Sequence, residues 1–558
     1  MKENTSLSIR FISLMLLITA LVSVDAAAQK INTKQLTADY DRMLSEKFRQ
    51  GETGCAALVA KDGQIIYKKA FGMADLELNV PMQPDMVFRI GSITKQFTAV
   101  AILQLMEQGK LSLQDDITKY IPDYPTHGYN ITIEHLLTHT SGIKSYTNVP
   151  EFQKYVRQDM KPEEAINTFR NLPMEFAPGT KWNYNNSGYF LLGYIIEKVS
   201  GKTYQEYIDE NFFKPLGMTG SCYGNDSRII KNRASGYQPG KDGVQNADFL
   251  SMLLPFSAGA IQSTVEDLFK WSQAVHSYKL VSKESLDKAF TEYKLANGKG
   301  TGYGYGWFLS QLQGSKTIEH GGGINGFLTN AIYFPEEDLF VALFSNSTSV
   351  GPDFTSQKMA ALALGKPLKD TPINIDEATL GLYVGVFKNE DGKEITISRD
   401  SSHLTVLRPG SPVREIIPVE EDRFLLDDSF ISLSFSRDAA GKISRVIIDD
   451  RGKVTEWIRT DKAVEAKKVV EVDESLLMKY AGEYELQPGF TITFTCEGKK
   501  LFTQATGQER FEIFPESNTK FFLKVVDAQV EFIQDESGKY NKIILYQGGR
   551  SMEAKRIR

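Results

Sequence analysis

The chain has little cysteine, no long apolar run beyond its first residues and no large excess of charge of one sign, and each lack removes a class of protein. Cys55, Cys222 and Cys496 are odd in number and far apart in 558 residues. They frame neither a disulfide scaffold nor a zinc site and read as buried small hydrophobes. With 64 Lys and Arg against 70 Asp and Glu, the net charge of −6 gives no electrostatic footprint for nucleic acid or an anionic membrane. There is no G-x-S-x-G, so an α/β-hydrolase elbow is excluded. The run GYGYG at 302–306 lacks the helix and Lys-Ser/Thr of a phosphate loop. His135 and His139 stand at i and i+4, but Leu136 occupies the place of a zinc protease's Glu and no third ligand is near. The pair reads as capping or packing a loop, and no metal or cofactor is implied.

What is present begins with a basic start, Lys2 and Arg10, then an apolar run, Phe11 to Val24, and the small residues Ala26-Ala27-Ala28. The run is shorter than the roughly 20 residues that span a bilayer. The pattern predicts a cleaved signal peptide over 1–28 and a soluble exported chain, periplasmic or extracellular, with no Cys for a lipid anchor.

At this length two to four domains are expected. "TGCAALVAKDGQIIYKKAF" reads as a hairpin turning at Lys61-Asp62-Gly63. A helix follows, with Ile93, Phe97, Val100, Leu103, Leu105 and Met106 near helical spacing and Gly109 as its stop. Helical patterns fill 131–280, and strand patterns return at 302–345. Strands at both ends with helices between predict an α/β body, 29–366, whose sheet is assembled from the two ends of the segment. Beyond the proline-bearing linker "KPLKDTPINID", one offset of 97 residues pairs Tyr383 with Tyr480, Pro418 with Pro515, Gly441-Lys442 with Gly538-Lys539 and Arg459 with Arg556. This is a duplication, read as two small antiparallel barrels or sandwiches over 377–460 and 474–558. Tyr383 and Tyr480 are expected in their cores, and a turn at 487–490 is expected to reach over the catalytic cleft.

The chemistry starts at "FRIGSITKQFTA". Ser92 and Lys95, three apart on a helix, share a face, and a helix N-terminus favours developing negative charge there. A lysine of pKa near 10.4 is uncharged in only roughly one molecule in 2,500 at pH 7. For Lys95 to act as a base, it needs a buried site or a second cation beside it. Two further stretches carry suitable groups: Tyr184-Asn185-Asn186 before an apolar helix, and His320-Gly321-Gly322-Gly323 at the end of a strand. The glycines there allow close approach of a substrate and leave an N–H for an oxyanion.

Ser92-x-x-Lys95, Tyr184-x-Asn186 and His320-x-Gly322, in that order and with "HLLTHTSGI" and "FAPGTKWNYNNSGY" around them, resemble the serine hydrolases related to class C β-lactamases and penicillin-binding proteins. The repeats resemble the lipocalin-like C-terminal domains of some members, and the layout is similar to that of bacterial D-aminopeptidases. The resemblance implies an α/β (α+β) catalytic domain, an antiparallel sheet flanked by helices with an all-helical subdomain, followed by two antiparallel β-barrels. It implies Ser92 as acyl-forming nucleophile, Lys95 and Tyr184 sharing base and acid roles, Asn186 orienting Lys95 or the substrate amide, His320 and Gly322 lining the far wall, and the N–H groups of Ser92 and Gly323 as the oxyanion hole. The substrate is then a small peptide, amide or ester, with no cofactor. His-Gly-Gly stands where β-lactamases and D-alanyl carboxypeptidases usually carry Lys-Thr-Gly. That removes a cation and a hydroxyl suited to a substrate carboxylate, and so favours a D-aminopeptidase- or esterase-like activity. The alternatives are a penicillin-binding or ligand-sensing protein with a long-lived acyl-enzyme, a β-lactamase, or a carboxypeptidase. Association with the cell envelope through the barrels, and the oligomeric state, are left open by the sequence.

Overall fold

Asp62 and Gly63 both adopt positive φ, 51° and 70°. This is the combination that a two-residue hairpin turn needs and that Asp-Gly tolerates. The turn joins β1 (Cys55–Lys61) to β2 (Gln64–Phe71) in the computed structural model. The structure describes residues 33–558 apart from 241–242, 369–370, 401–402, 409–412, 428, 465–468, 488–489, 507 and 548–549. The predicted signal peptide and the centre of the 487–490 turn therefore lie outside the described residues.

The chain returns to this hairpin 237 residues later with β3 (Phe308–Leu312), β4 (Ser315–Ile324), β5 (Phe327–Phe334) and β6 (Leu339–Ser345). The resulting six-stranded sheet has the order β3-β4-β5-β6-β1-β2, and every pair in it is antiparallel. Strand β1 is buried on both faces, which is why it reads as an unbroken apolar run. Cys55, Ala57 and Val59 face a core shared with Tyr40 and Leu44 of α1 (Thr33–Lys47). Ala56, Leu58 and Ala60 face the larger core containing α2 (Thr94–Glu107) and α3 (Asn186–Ser200). Helix α4 (Asp353–Ala363) adds Met359 and Ala360 to the α1 side.

Helix α2 departs from the amphipathic stripe expected of it. From Thr94 to Leu103 every residue is buried, polar ones included, so it is a central helix rather than a surface one.

Each repeat closes into an eight-stranded antiparallel barrel, residues 385–459 and 482–556. Each opens on a seven-residue helix, Glu377–Tyr383 and Glu474–Tyr480, where the sequence was read as strand throughout. Two turns are too short to show a helical period, and the visible signal is the Asp before each helix, of which Asp376 accepts a hydrogen bond from Thr379 N–H. The helices sit at the same 97-residue offset. Both Tyr383 and Tyr480 are fully buried in the barrel cores, their hydroxyls bonded to Asp422 and to the Asn518 carbonyl. All three cysteines are free. Cys55 and Cys222 are buried as expected, but Cys496 is half-buried: it shares the inward face of its strand with Ile492 and Phe494 and stands at the strand's end beside the hairpin turn.

Candidate active site

Ser92 lies in a single 3-10 turn, Gly91–Ile93, that runs directly into α2. Gly91 has φ 52°, and a Cβ there would be 3.1 Å from the N and O of Gly323 on β4, so the turn carrying Ser92 is packed backbone to backbone against that strand. One helical step on, Lys95 is fully buried, with no carboxylate among its hydrogen-bond partners in the described residues. Burial alone holds its pKa well below that of an ordinary lysine, because an ammonium here has lost its water. Of the two conditions that the sequence posed for a basic lysine, the structure meets the first.

Three oxygens surround Lys95 Nζ: Asn186 Oδ1 at 2.9 Å, the Ala258 carbonyl at 2.8 Å and Ser92 Oγ at 3.1 Å. Two of these are amide oxygens that only accept. A neutral amine has two hydrogens and one lone pair, so donating to both amides leaves its lone pair for the Ser92 hydroxyl, the one neighbour able to donate.

Tyr184 and Asn186 flank the cap of α3. Asn185 is the N-cap, accepting from Gly188 N–H at 2.6 Å. Asn186 is fixed from behind by Ser145 Oγ, which accepts its N–H at 3.1 Å, and by Thr147 Oγ1, which accepts from its amide at 3.0 Å. The Tyr184 ring lies 4.8 Å from Lys95 Nζ. Its hydroxyl is buried and makes no hydrogen bond of ordinary geometry among the described residues. Desolvation pushes its pKa far up, and the nearby Ser92 hydroxyl offsets only part of that, so the phenol is neutral across the physiological range.

On β4, His320 is buried. Its Nδ1 lies 2.6 Å from the Gly321 carbonyl and its Nε2 3.1 Å from Tyr303 Oη. A carbonyl can only accept, so Nδ1 carries the proton and Nε2 accepts from the tyrosine. Burial pushes the pKa down to about 3 and fixes the ring as neutral. Partner strand β3 ends with Phe308 opposite Glu319, so Gly321 to Ile324 continue with β5 as a neighbour on one side only. At Gly322 a Cβ would lie 2.0 Å from the Ile90 carbonyl and 2.4 Å from Thr329 Oγ1. A Gly322→Ala variant is therefore expected to lose about 3 kcal/mol, the upper end for overpacking, seen as a lower denaturant midpoint at unchanged slope.

Sequence reasoning brought Ser92, Lys95, Tyr184, Asn186 and the β4 glycines to one place and missed what supports them. His139, read as loop packing, has its ring 4.3 Å from that of Tyr184. Its Nδ1 accepts Asn185 N–H, and its Nε2 is buried without a hydrogen bond among the described residues. His135 caps the short helix Ile133–Leu137, accepting from Thr132 N–H. Ala258 gave no signal because it acts through its backbone, and Thr147 and Ser145 gave none because isolated hydroxyls are common. No cluster of three or more His, Cys, Asp or Glu able to hold a metal occurs among the described residues.

The sequence profile of the Beta-lactamase family matches residues 32–366. The chain belongs to the Beta-lactamase family. A domain described as of unknown function (DUF3471) matches residues 466–556, the second barrel. Penicillin-binding protein 4* of Bacillus subtilis is 26% identical over 524 residues, covering 90% of this chain and 94% of the relative. Among solved structures, the octameric penicillin-binding protein homologue from Pyrococcus abyssi is 29% identical with a TM-score of 0.55, over 76% of this chain and 100% of that one. The D-stereospecific amidohydrolase from Streptomyces sp. is 26% identical with a TM-score of 0.52, over 59% of this chain and 98% of that one. The chain is thus a member of the β-lactamase-fold serine hydrolases, with penicillin-binding proteins and a D-stereospecific amidohydrolase among its relatives.

Proposed function

We propose that the protein is an exported serine hydrolase that cleaves a small peptide, amide or ester through an acyl-enzyme on Ser92. The observation that carries this reading is the arrangement at Lys95 Nζ, where two acceptor-only amides take both hydrogens of a neutral amine and leave its lone pair toward Ser92 Oγ. Lys95 takes the hydroxyl proton as Oγ attacks the substrate carbonyl. The N–H groups of Ser92 and Gly323 receive the oxyanion, in keeping with the stacking of Gly91 on Gly323. Tyr184, held neutral by burial, donates its proton to the departing amine or alcohol and regains one from Lys95. Water then attacks the ester and returns Ser92. An extended substrate would pair with the backbone of Gly321 to Ile324 on the side that β3 leaves unpaired.

His-Gly-Gly in place of Lys-Thr-Gly supplies no cation for a substrate carboxylate, and a neutral, buried His320 does not replace one. Together with the likeness to a D-stereospecific amidohydrolase, this supports an aminopeptidase-, amidase- or esterase-like specificity with a preference for D-residues. The test is a panel of D- and L-alanine p-nitroanilides, D-Ala-D-Ala peptides, p-nitrophenyl butyrate and a chromogenic cephalosporin, each quenched in acid for mass spectrometry of the peptide bearing Ser92. Turnover of a D-anilide or ester with an acyl adduct on Ser92 is the expected result. Turnover with no adduct on this serine under any condition overturns it. The nearly full-length likeness to a penicillin-binding protein favours one second reading, a sensor that keeps its acyl group. That reading predicts a single burst of product per site with no turnover after it.

A further inference from the structure

The turn Asp450-Arg451-Gly452 of the first barrel meets the edge of the catalytic sheet, while Phe430 of the same barrel packs on the α1 side of that sheet. The Arg451 carbonyl accepts from Gln311 N–H at 3.1 Å and from Ser310 Oγ at 2.9 Å, while its Nε donates to the Gln311 carbonyl at 3.2 Å. One residue of the barrel thus satisfies both polar groups of Gln311 on edge strand β3. Its guanidinium continues across β3 to β4, where Nη2 donates to Glu319 at 2.6 Å and to Thr317 Oγ1 at 3.3 Å. Both side chains of the ion pair are 11% exposed. By contrast, a second ionic link between barrel and catalytic domain, Lys299 to Glu390 and Asp391, is solvent-exposed. The turn fits closely, since a Cβ on Gly452 would lie 2.6 Å from the Gln311 side chain.

The barrel fold does not ask for this arginine. Arg451 has φ 53°, in the region that favours glycine, and at the 97-residue offset the second copy carries Gly548. Copy one thus keeps a long cation where its duplicate has the residue that the turn prefers, and that cation ends on Glu319, the neighbour of His320 and the last β4 residue paired with β3.

We propose that Arg451 is a positioning residue for the hydrolase site. Anchored on Glu319 and Gln311, it pins β4 at the point where β3 leaves it, and so holds His320 and Gly321 to Gly323 in place against the Ser92 turn. The catalytic domain is on this view complete only with the first barrel docked. The proposal rests on the serine-hydrolase reading for its catalytic consequence but not for its structural one.

The test uses the full chain with Arg451→Gly, which supplies the residue of the second copy, Arg451→Lys, and Glu319→Gln. Amide hydrogen exchange over 317–326 is read alongside the rate at which a fluorophosphonate probe labels Ser92. In Arg451→Gly and Glu319→Gln, exchange at 319–323 is expected to rise at least about tenfold. Labelling is expected to slow by about 10- to 100-fold, the cost of a misplacement near 1 Å, with the probe's half-saturation concentration unchanged. Arg451→Lys restores the charge without the fork and is expected to fall between. Unchanged exchange in both Arg451→Gly and Glu319→Gln overturns the proposal. Faster exchange with unchanged labelling also overturns it, reducing the contact to a structural one. If the parent itself is not labelled, the hydrolase reading fails, and the exchange arm still decides whether Arg451 holds β4.

Discussion

Replacing Ser92 by alanine is expected to lower turnover by about 10⁶, the scale on which a serine hydrolase loses its nucleophile, and to leave the fold almost untouched. The contrast makes the experiment informative. Ser92 is half-buried, and among the described residues its hydroxyl makes one hydrogen bond of ordinary geometry, with Lys95 Nζ, whose other two oxygens remain. Losing one such bond costs about 1 kcal/mol. The thermal midpoint should therefore move by no more than a few degrees while activity disappears. The check is kcat on whichever panel substrate the parent cleaves, with a melting curve on the same preparation. A variant that retains activity within tenfold of the parent would remove Ser92 from the chemistry and with it the acyl-enzyme.

What the sequence made legible was whatever repeats or whatever requires a particular side chain. The hairpin at Asp62-Gly63 announces itself because few residue pairs accept two positive φ angles. The 97-residue offset exposes the duplication, and the same offset recurs in the barrel helices, strands and buried tyrosines. Ser92, Lys95, Tyr184 and Asn186 were found because their functional groups are rare in such order. Their support was not, for three physical reasons. Ala258 works through a carbonyl that any residue provides. The helices 377–383 and 474–480 are shorter than the period that would reveal them. Arg451 looks like one surface charge among many until the fold brings it to Glu319, 132 residues earlier in the chain. Helix α2 shows the same limit differently: its spacing predicted one buried stripe, and neighbours on every side bury the rest, including the lysine on which the site depends.

That lysine gives the second large effect, because catalysis and stability respond to it in opposite ways. Lys95→Met keeps the volume and removes the amine, and the loss of a base in a comparable site again costs about 10⁶ in turnover. In the folded parent burial holds the Lys95 pKa well below its ordinary value of 10.5, at which it titrates in the unfolded chain. Between the folded and unfolded values the unfolded state therefore binds one more proton, and the stability of the parent rises with pH through that window. At neutral pH, removing this penalty stabilises the variant, but orphaning the acceptors Asn186 Oδ1 and Ala258 O costs about 1 to 3 kcal/mol each, so the two oppose one another. The absolute change is for that reason a poor test, and its slope is a good one. From pH 7 to 9 the stability of the parent relative to Lys95→Met should increase by about 1.4 kcal/mol per pH unit, the signature of one proton. In the same enzyme kcat/KM should fall on the acid side with a one-proton dependence, as the amine that faces Ser92 becomes protonated. Parallel stability curves for parent and variant across that range would mean that Lys95 is charged in the fold at neutral pH. The lone pair that the two amides leave toward Ser92 would then not exist, and the base would have to be sought in Tyr184.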